Sequence, residues 1–291
     1  MAKEKRFTGV DVIEDFQGFQ EFYEKKSAPI NVLGAEKVWY PNQYLVLKST
    51  GQNSQLAKVS SDGKSIVRIN EKLEFFGIKP KNKEQAFLFD MLADENLKVV
   101  TVTGKAGTGK SLLIGAYLLE MINEGKIEKL VISKPMEIVG NTKYFGTVPG
   151  DSKEKFDPFL LNFKYLFEKL SDEGGAYFEA MVRKGQIEFV PLELMRGVSF
   201  GGNTAVYLDE AQNINDHVIK TLGTRIGDDS RLIMSGDYNQ IDVKGAEFKS
   251  GIITVTESPV FNMSSITGHI NLLKIERGPV AELFAKIYND T

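Results

Sequence analysis

The segment GKAGTGKS, residues 104–111, places two glycines, a lysine and a serine at the spacing G-x-x-x-x-G-K-S, with a third glycine between the first two. Glycines allow successive backbone N–H groups to turn toward one phosphate, because no Cβ atom obstructs the turn. At this spacing Lys110 reaches the outer phosphates of a nucleotide, and the Ser111 hydroxyl binds Mg²⁺. The predicted nucleotide-binding residues of this segment are Gly104, Lys105, Ala106, Gly107, Thr108, Gly109, Lys110 and Ser111.

Two adjacent acids, Asp209 and Glu210, end the apolar segment TAVYLDE. We expect Asp209 to hold Mg²⁺ through water and Glu210 to polarise the water that attacks the γ-phosphate. Neighbouring carboxylates repel each other unless a cation lies near them, which favours a magnesium site over a solvated strand end. The pair indicates hydrolysis, so a small-molecule kinase is the weaker interpretation.

Two glutamines extend the predicted site. Gln240 follows the apolar segment RLIMSGD, and its amide, both a donor and an acceptor, suits a sensor of the γ-phosphate. Gln85 precedes the glycine-rich segment by one short predicted helix, where an amide can read both adenine edges. An ordinary surface glutamine is the alternative interpretation of Gln85.

Six apolar segments alternate with helical patterns in the predicted main domain, residues 79–291. They are LKVVTVT, EKLVISK, QIEFVPL, TAVYLDE, RLIMSGD and INLLKI. Near-continuous apolar segments are typical of parallel strands that are covered on both faces. The sequence therefore predicts an α/β fold with a mostly parallel sheet and helices on both faces.

Two smaller regions precede this domain. Residues 1–37 are predicted as an amphipathic helix and a link, because the aromatic residues between positions 16 and 23 recur near helical spacing. Residues 38–78 contain short β-rich segments separated by GQN and SDG, which predicts a small antiparallel β meander.

Two further features lie between the second and third predicted strands. Residues 140–155 mix lysines, aromatics and glycines without periodicity, which predicts an ordered loop over the carboxyl edge of the sheet. Residues 157–170 carry an apolar stripe behind an aspartate and a proline, which predicts a helix.

The composition excludes several kinds of site. The 291 residues carry a net charge of −3, no cysteine and two histidines. Disulfides and thiolate zinc sites are therefore ruled out, and any nucleic-acid contact has to come from a local groove. Neither a long apolar run nor a secretory leader is present in the sequence, so the predicted location is the cytoplasm, with no membrane partner.

The order of these motifs resembles the PhoH family of ATPases. GKAGTGKS, DEAQN and SGDYNQID carry the resemblance, with GTVPGDSKEKFDPFL and PLELMRG between them. It implies a RecA-like P-loop core similar to the first motor domain of superfamily 1 helicases, ATP and Mg²⁺ as cofactors, and single-stranded RNA or another nucleic acid as partner. Lys134 and Val198 stand where the family has arginine and a basic residue, which puts phosphate or nucleic-acid contacts there in doubt.

The predicted meander resembles the segment that joins a PIN nuclease to the ATPase in two-domain members of the family. Only about forty residues precede it, and they lack the spaced acidic cluster of such a nuclease. The expectation is therefore that the ribonuclease is absent.

A single motor domain implies that another subunit completes the site. Fewer than sixty residues follow SGDYNQID, too few for a second sheet. A cation for the transition state then has to come from the next subunit of a head-to-tail ring, a hexamer by resemblance. Arg277 is the first candidate, ahead of Arg225 and Arg196. The predicted catalytic residues are therefore Lys110, Glu210, Gln240 and Arg277.

Two functions of different classes remain open at this point. The leading one is a ring-forming ATPase that moves or remodels RNA, with residues 140–155 contributing to the contact. The alternative is an ATP-dependent switch that binds a protein partner and has no unwinding activity. Stimulation of the ATPase by single-stranded RNA separates them.

Overall fold

The computed structural model describes residues 6–34, 37–51, 53–135, 164–168, 174–192, 195–243 and 248–276. Two β-sheets, of five and six strands, organise these residues. Within them, no helix has both the length and the apolar character needed to cross a membrane.

The smaller sheet has five strands. They are β1 (Val10–Ile13), β2 (Ser27–Pro29), β3 (Tyr44–Lys48), β4 (Ser54–Val59) and β5 (Ser65–Arg68). Their order is β1-β3-β4-β5-β2, with β1 parallel to β3 and the other pairs antiparallel. The meander predicted within residues 38–78 is thus β3, β4 and β5, enlarged by one strand on either side.

The prediction of one amphipathic helix and a link over residues 1–37 is wrong. In the described part of that segment the α-helix covers only Phe19–Lys25 (α1), and β1 and β2 on either side of it join the smaller sheet. The helix ends because Lys26 adopts a left-handed φ of 60° and donates its N–H to the Phe22 carbonyl. Phe16 and Phe22 are buried against β3, β4 and β5, so the aromatic spacing reflects packing on a sheet face.

The larger sheet contains one strand from each of the six predicted apolar segments. They are β6 (Val99–Gly104), β7 (Lys129–Ser133), β8 (Ile187–Phe189), β9 (Thr204–Leu208), β10 (Arg231–Gly236) and β11 (Thr267–Leu272). The order is β11-β6-β10-β9-β7-β8, and each of these neighbouring pairs is parallel. The predicted α/β fold is therefore confirmed.

Helices cover both faces of the larger sheet. After α1 they are α2 (Lys83–Ala93), α3 (Lys110–Asn123), α4 (164–168), α5 (Gly174–Arg183), α6 (Asp216–Gly223), α7 (Gly251–Thr256) and α8 (Pro259–Asn262). In β10, Ile233 packs into the cluster of α2, α3 and α5, whereas Leu232 and Met234 pack into the cluster of α6 and α7. Burial on both faces explains why these strands are apolar at nearly every position.

The smaller sheet is packed onto α2. Tyr44 and Val46 belong to the same core cluster as α2, while Leu45 and Leu47 face the cluster that contains Phe22. Polar contacts strengthen this junction, because Lys58 Nζ lies 2.9 Å from Asp90 Oδ2 and 3.2 Å from Asp94 Oδ2. The two sheets therefore share one core; the domain boundaries at residues 37 and 78 remain a prediction.

The chain ahead of β1 runs along β11 at the edge of the larger sheet. Asn271 donates its backbone N–H to the Thr8 carbonyl at 2.9 Å. Gly9 has a φ of 76°, and a Cβ atom there would lie 1.9 Å from the His269 carbonyl oxygen. Only glycine fits this crossing, after which the Gly9 carbonyl accepts the N–H of Tyr44 in the smaller sheet at 2.8 Å.

Three predictions concern segments that the structure describes only in part or not at all. The predicted loop at residues 140–155 and Arg277 lie outside the described residues. Of the helix predicted over residues 157–170, positions 164–168 are described and are helical.

Candidate nucleotide-binding site

The glycine-rich loop connects the end of β6 to the first residue of α3. Gly104, Gly107 and Gly109 have φ angles of 149°, 88° and 96°, a region that favours glycine. A Cβ atom on Gly104 would also lie 2.5 Å from the Leu272 carbonyl oxygen on β11. The loop backbone and the start of α3 therefore form the glycine-shaped turn and helix N-terminus that suit an anion.

Lys110 lies over this loop. Its Nζ donates to the carbonyl oxygens of Gly104 at 2.6 Å and Lys105 at 3.2 Å. A phosphate in the loop would offer the ammonium group charge-assisted hydrogen bonds in exchange for these bonds to neutral carbonyls.

Gln85, in the first turn of α2, holds the loop by its side-chain amide. Its Nε2 donates to the Thr108 carbonyl at 3.0 Å, and its Oε1 accepts the Lys81 N–H at 2.8 Å. Only 3% of the residue is exposed, so the surface interpretation of Gln85 is wrong. One N–H and one lone pair of the amide are left for a base, which makes Gln85 a support of the loop as well as a candidate contact to adenine.

Asp237, at the end of β10, supports the loop from another direction. Its Oδ2 accepts the backbone N–H of Ala106 at 3.1 Å, and the residue is 4% exposed. The sequence singled out the neighbouring Gln240 but gave Asp237 no role.

Asp209, directly after β9, lies at the end of a network of hydroxyl groups. Its Oδ1 accepts from Ser235 Oγ at 2.6 Å and from the Tyr207 hydroxyl at 3.2 Å. The Tyr207 oxygen is also 2.9 Å from Ser235 Oγ. Burial raises the pKa of Tyr207 well above its ordinary value and the Asp209 carboxylate raises it further, so the phenol keeps its proton.

Glu210 occupies the left-handed region, with a φ of 52°. A side-chain-bearing residue there costs of order 1 kcal/mol and persists when its surroundings hold it. Gln212 Nε2 donates to Glu210 Oε2 at 2.8 Å and to the Gln240 carbonyl at 2.9 Å, and Gln212 Oε1 accepts the Asp237 N–H at 3.0 Å. One fully buried amide therefore fixes the acid, the end of β10 and the segment that carries Gln240.

A cavity of about 460 Å³ joins these groups, a volume in the ordinary range for small-molecule sites. The described residues that line it include Gln85, Ala106, Gly107, Gly109, Lys110, Ser111, Asp209, Glu210, Asp237, Gln240 and Glu276. The structure therefore gathers five of the eight predicted P-loop residues, both acids and both glutamines around one space, whereas Gly104, Lys105 and Thr108 are not among the described residues that line it.

Glu276 closes one side of the cavity, which the sequence did not suggest. Its backbone N–H donates to the Gly107 carbonyl at 2.9 Å. Its carboxylate accepts from Asn82 Nδ2 at 2.9 Å and lies 3.1 Å from Lys274 Nζ, and these two contacts lower the pKa of Glu276. The backbone at Glu276 is thus bound to the P-loop of its own chain.

The donor set around Ser111 and Asp209 fits Mg²⁺. This ion prefers oxygen ligands and is commonly held by one or two carboxylates together with substrate phosphates and water. Ser111 and Asp209 both line the cavity. An ion held between them would lie beside the glycine-rich loop, where a phosphate would enter.

The three candidate arginines have different positions. Arg277 and the side chain of Arg196 lie outside the described part of the chain. Arg225 lies two residues beyond α6, where its carbonyl accepts the Phe200 N–H at 2.8 Å, and it is not among the described residues that line the cavity.

Sequence reasoning missed four residues that shape this site. Gln212 and Asp237 lie inside the motifs that were singled out, so their amide and carboxylate were visible but had no assigned partner. Tyr207 carried a weak signal, a hydroxyl in the middle of the apolar segment TAVYL. Glu276 carried none.

Comparison with known proteins gives the relatives of this chain. Protein PhoH2 of Bacillus subtilis is 33% identical over 93% of this chain and 62% of its own length. Protein PhoH2 of Mycolicibacterium smegmatis is 30% identical over 82% of this chain and 54% of its own length. The chain therefore spans between half and two thirds of these two relatives. Among solved structures, Pif1 helicase from Candida albicans has a TM-score of 0.39 and 16% identity, over 73% of this chain and 44% of that one.

The family model described as "PhoH-like protein" matches residues 77–289. This range includes the glycine-rich loop after β6 and the acid pair after β9. The P-loop geometry and this match agree on a nucleotide-binding P-loop protein, and the chain belongs to the PhoH family.

Proposed function

We propose that this chain hydrolyses ATP with Mg²⁺ and couples hydrolysis to movement along, or remodelling of, single-stranded RNA as a ring. The ATPase part is supported by one observation, the meeting of Lys110, Ser111, Asp209 and Glu210 around a single cavity. A phosphate cradle, oxygen ligands for a metal and a carboxylate next to them are the groups that phosphoryl transfer to water requires.

Each residue has a separate part in this proposal. The loop N–H groups and Lys110 bind the outer phosphates, while Ser111 and Asp209 hold Mg²⁺. The bound ion withdraws charge from the phosphate oxygens. Glu210 orients the attacking water and accepts its proton, and Gln240 contacts the γ-phosphate. Gln212 keeps Glu210 at the position that this step needs.

Glu210→Gln tests the hydrolytic step. The variant keeps an oxygen that can accept from Gln212 Nε2, so the local shape survives while the basic carboxylate is lost. ATP affinity should stay within about threefold of wild type and turnover should fall by about 10²–10⁴. Lys110→Ala and Ser111→Ala should instead lose ATP affinity or its dependence on Mg²⁺. Equal loss of binding in all three variants would contradict the role of Glu210.

The RNA part of the proposal rests on the family resemblance. The net charge of −3 means that any RNA contact has to be local, and the lysines at positions 143, 153 and 155 are the first candidates. Neutralising them should weaken RNA binding and flatten its salt dependence, because each lost phosphate contact removes close to one released counterion. Filter binding at two salt concentrations measures both effects, and basal ATPase should survive.

A charge-matched control lies at the opposite edge of the larger sheet. This control neutralises three lysines that lie at or just before the first residues of β7 and β8, namely Lys126, Lys129 and Lys184. The nucleotide cavity lies instead at the carboxyl ends of the strands. Neutralising these three lysines should leave RNA affinity unchanged. If RNA neither binds to the wild-type protein nor stimulates its ATPase, the RNA part of the proposal is wrong. The alternative, an ATP-dependent switch that binds a protein partner, then replaces it.

The ring follows from the charge that the site has to stabilise. In the transition state, charge spreads over the γ-phosphoryl oxygens, and an additional arginine typically contributes about 10³–10⁵ in rate. A head-to-tail hexamer would bring Arg277 of one subunit to the nucleotide of the next. Because Glu276 is bound to the P-loop of its own chain, an experiment has to separate action within one chain from action between subunits.

A further inference from the structure

Glu276 brings a carboxylate to the wall of the nucleotide cavity, just beyond the end of β11. Its side chain is 17% exposed. Both side-chain contacts use the same oxygen, because Oε1 lies 2.9 Å from Asn82 Nδ2 and 3.1 Å from Lys274 Nζ. Within the part of the chain that the structure describes, Oε2 has neither a hydrogen-bond donor nor a cation as partner. The described residues therefore leave one acceptor oxygen of the cavity wall free.

The strand order separates Glu276 from the predicted catalytic acids. β11 lies on one side of β6, and β10 and then β9 lie on the other. The glycine-rich loop follows β6, so Glu276 approaches it from the side of β11, whereas Asp209 and Glu210 approach it from the side of β9. A nucleotide whose γ-phosphate points toward the two acids thus has its nucleoside on the side of Glu276.

The chemistry of a carboxylate limits what Glu276 can bind. An ionised carboxylate accepts hydrogen bonds and donates none, and the contacts with Asn82 and Lys274 keep the pKa of Glu276 below its ordinary value. Phosphate oxygens are anionic and would be repelled. The donors of a nucleotide are the ribose hydroxyls and the N–H groups of the base, so the partner of Glu276 belongs to the nucleoside.

The attachment of Glu276 to the loop favours the sugar over the base. Its backbone N–H donates to the Gly107 carbonyl at 2.9 Å, in the loop that would hold the phosphates. Asn82 fixes Oε1 from the start of α2, where its own side-chain oxygen accepts the Gln85 N–H at 3.0 Å. The ribose is bonded directly to the phosphate chain, whereas the base is one sugar farther away. A carboxylate held at the loop is therefore nearer to the ribose.

We propose that Glu276 is a ribose-binding residue, whose free Oε2 accepts a hydrogen bond from the 2′- or 3′-hydroxyl of the bound nucleotide. The inference rests on the proposed ATP site and adds a sugar preference to it, for ribonucleotides over nucleotides that lack both hydroxyls. A hydrogen bond to a charged acceptor is stronger than one between neutral groups, and a ligand without the hydroxyls cannot form it.

Binding of ADP and of 2′,3′-dideoxy-ADP measures this preference. Neither ligand has a γ-phosphate, so isothermal titration calorimetry gives both equilibrium affinities without turnover. The wild-type protein should bind ADP about tenfold more tightly than dideoxy-ADP, and Glu276→Ala should bind the two ligands within about twofold of each other. Glu257→Ala is the matched control, because Glu257 pairs with Arg6 at 3.1 Å and is not among the described residues that line the cavity. It should keep the wild-type ratio.

A purely structural role of Glu276 gives a different result. If the residue only anchors its segment to Asn82 and the loop, Glu276→Ala lowers the affinity for ADP and dideoxy-ADP equally. The wild-type ratio then persists, and the inference is wrong. GDP separates the sugar from the base. If Glu276→Ala changes the ratio of ADP to GDP affinity but not the ratio of ADP to dideoxy-ADP affinity, the carboxylate contacts the base and the inference is also overturned.

A second variant covers a failure of Glu276→Ala to fold. Glu276→Gln keeps an oxygen for Asn82 Nδ2 and removes the charge, so its preference for ADP should fall to about threefold. An unchanged preference in this variant overturns the inference. If the wild-type protein binds neither ADP nor ATP, the proposed function fails and the inference fails with it. If it binds ADP and dideoxy-ADP equally well, the inference alone fails.

Discussion

Replacing Gln212 by alanine is the sharpest test of how the acid pair is held. The Gln212 amide makes three hydrogen bonds, to the Glu210 carboxylate, the Gln240 carbonyl and the Asp237 N–H, at 2.8, 2.9 and 3.0 Å. Alanine at this fully buried position removes all three and leaves two backbone groups without these partners. Glu210, with its left-handed φ of 52°, also loses the contact that fixes its side chain.

The expected size of the effect comes from these bonds. A typical intramolecular hydrogen bond contributes about 1 kcal/mol net, so Gln212→Ala should lower the free energy of unfolding by about 3 kcal/mol. Turnover should fall by about 100-fold, because a displacement of about 1 Å at a reacting group costs that much. The KM for ATP should change less than kcat, because the three groups that the Gln212 amide contacts, the Glu210 carboxylate, the Gln240 carbonyl and the Asp237 N–H, all lie outside the glycine-rich loop.

Asn213→Ala is the matched control, since Asn213 is an amide in the same turn with 6% exposure. Its Oδ1 accepts the Asp242 N–H at 2.9 Å and its Nδ2 donates to Asp242 Oδ2 at 3.4 Å. Asn213→Ala should therefore cost about 1–2 kcal/mol of stability while kcat stays within about threefold of wild type. Phosphate release gives kcat and KM, and urea unfolding gives stability. A folded Gln212→Ala variant with kcat within threefold of wild type, or equal loss of kcat in both variants, would refute the argument.

Three other measurements test separate parts of the molecule. Burial lowers the pKa of His269 from 6.5 to about 4. As the pH falls, the unfolded chain is therefore protonated at this histidine near pH 6.5, whereas the folded chain is protonated there only near pH 4. As the pH falls from about 6.5 to about 4, urea unfolding should therefore show a loss of about 3 kcal/mol of stability. His269→Asn, which keeps a polar side chain near the Thr101 hydroxyl, should flatten the profile, and a flat wild-type profile contradicts this. Gln85→Ala should lower the affinity for any nucleoside triphosphate, because the amide holds the loop. It should also lower the preference for ATP over GTP in competition binding, because the amide has groups left for adenine. If ATP and GTP lose affinity equally, Gln85 supports the loop but does not select the base. Mixing Arg277→Ala with Lys110→Ala should restore part of the ATPase activity that each variant lacks alone, and no recovery between subunits that exchange would rule out action of Arg277 between them.

The larger sheet was predictable because its physical requirement is visible locally. Strands buried on both faces need apolar residues at nearly every position, as in β10, where Leu232, Ile233 and Met234 face two different clusters. The glycine-rich loop was predictable for a similar reason, since Gly107 and Gly109 occupy backbone conformations that other residues rarely adopt.

The N-terminal segment failed because its aromatic spacing has two explanations. Phe16, Phe19 and Phe22 recur every third residue, which fits one face of a helix, but Phe16 packs on Phe22 and on the smaller sheet from outside α1. The short pattern VDVI at β1 pairs in parallel with β3, a partner far along the chain. A nonlocal pairing of this kind leaves no local signature.

The role of Gln212 was hidden for the same physical reason. Its amide and that of Asn213 are neighbours in one short buried turn, and nothing nearby distinguishes them. The Gln212 partners at the end of β10 are brought in by the parallel sheet, with the Gln240 carbonyl 28 residues further along.

The crossing of residues 8 and 9 against β11 constrains the order in which the chain can fold. β6, which carries the glycine-rich loop, pairs with β10 and β11, and both of these are translated long after it. Until β11 leaves the ribosome, one edge of β6 is unpaired and the segment around Gly9 has no strand to lie on. Because synthesis proceeds from the N-terminus, the nascent chain passes through a long stage in which the edge of β6 that later pairs with β11 is exposed. Exposed strand edges favour aggregation. Folding yield in cell-free translation should therefore depend more on β11 than on the P-loop itself.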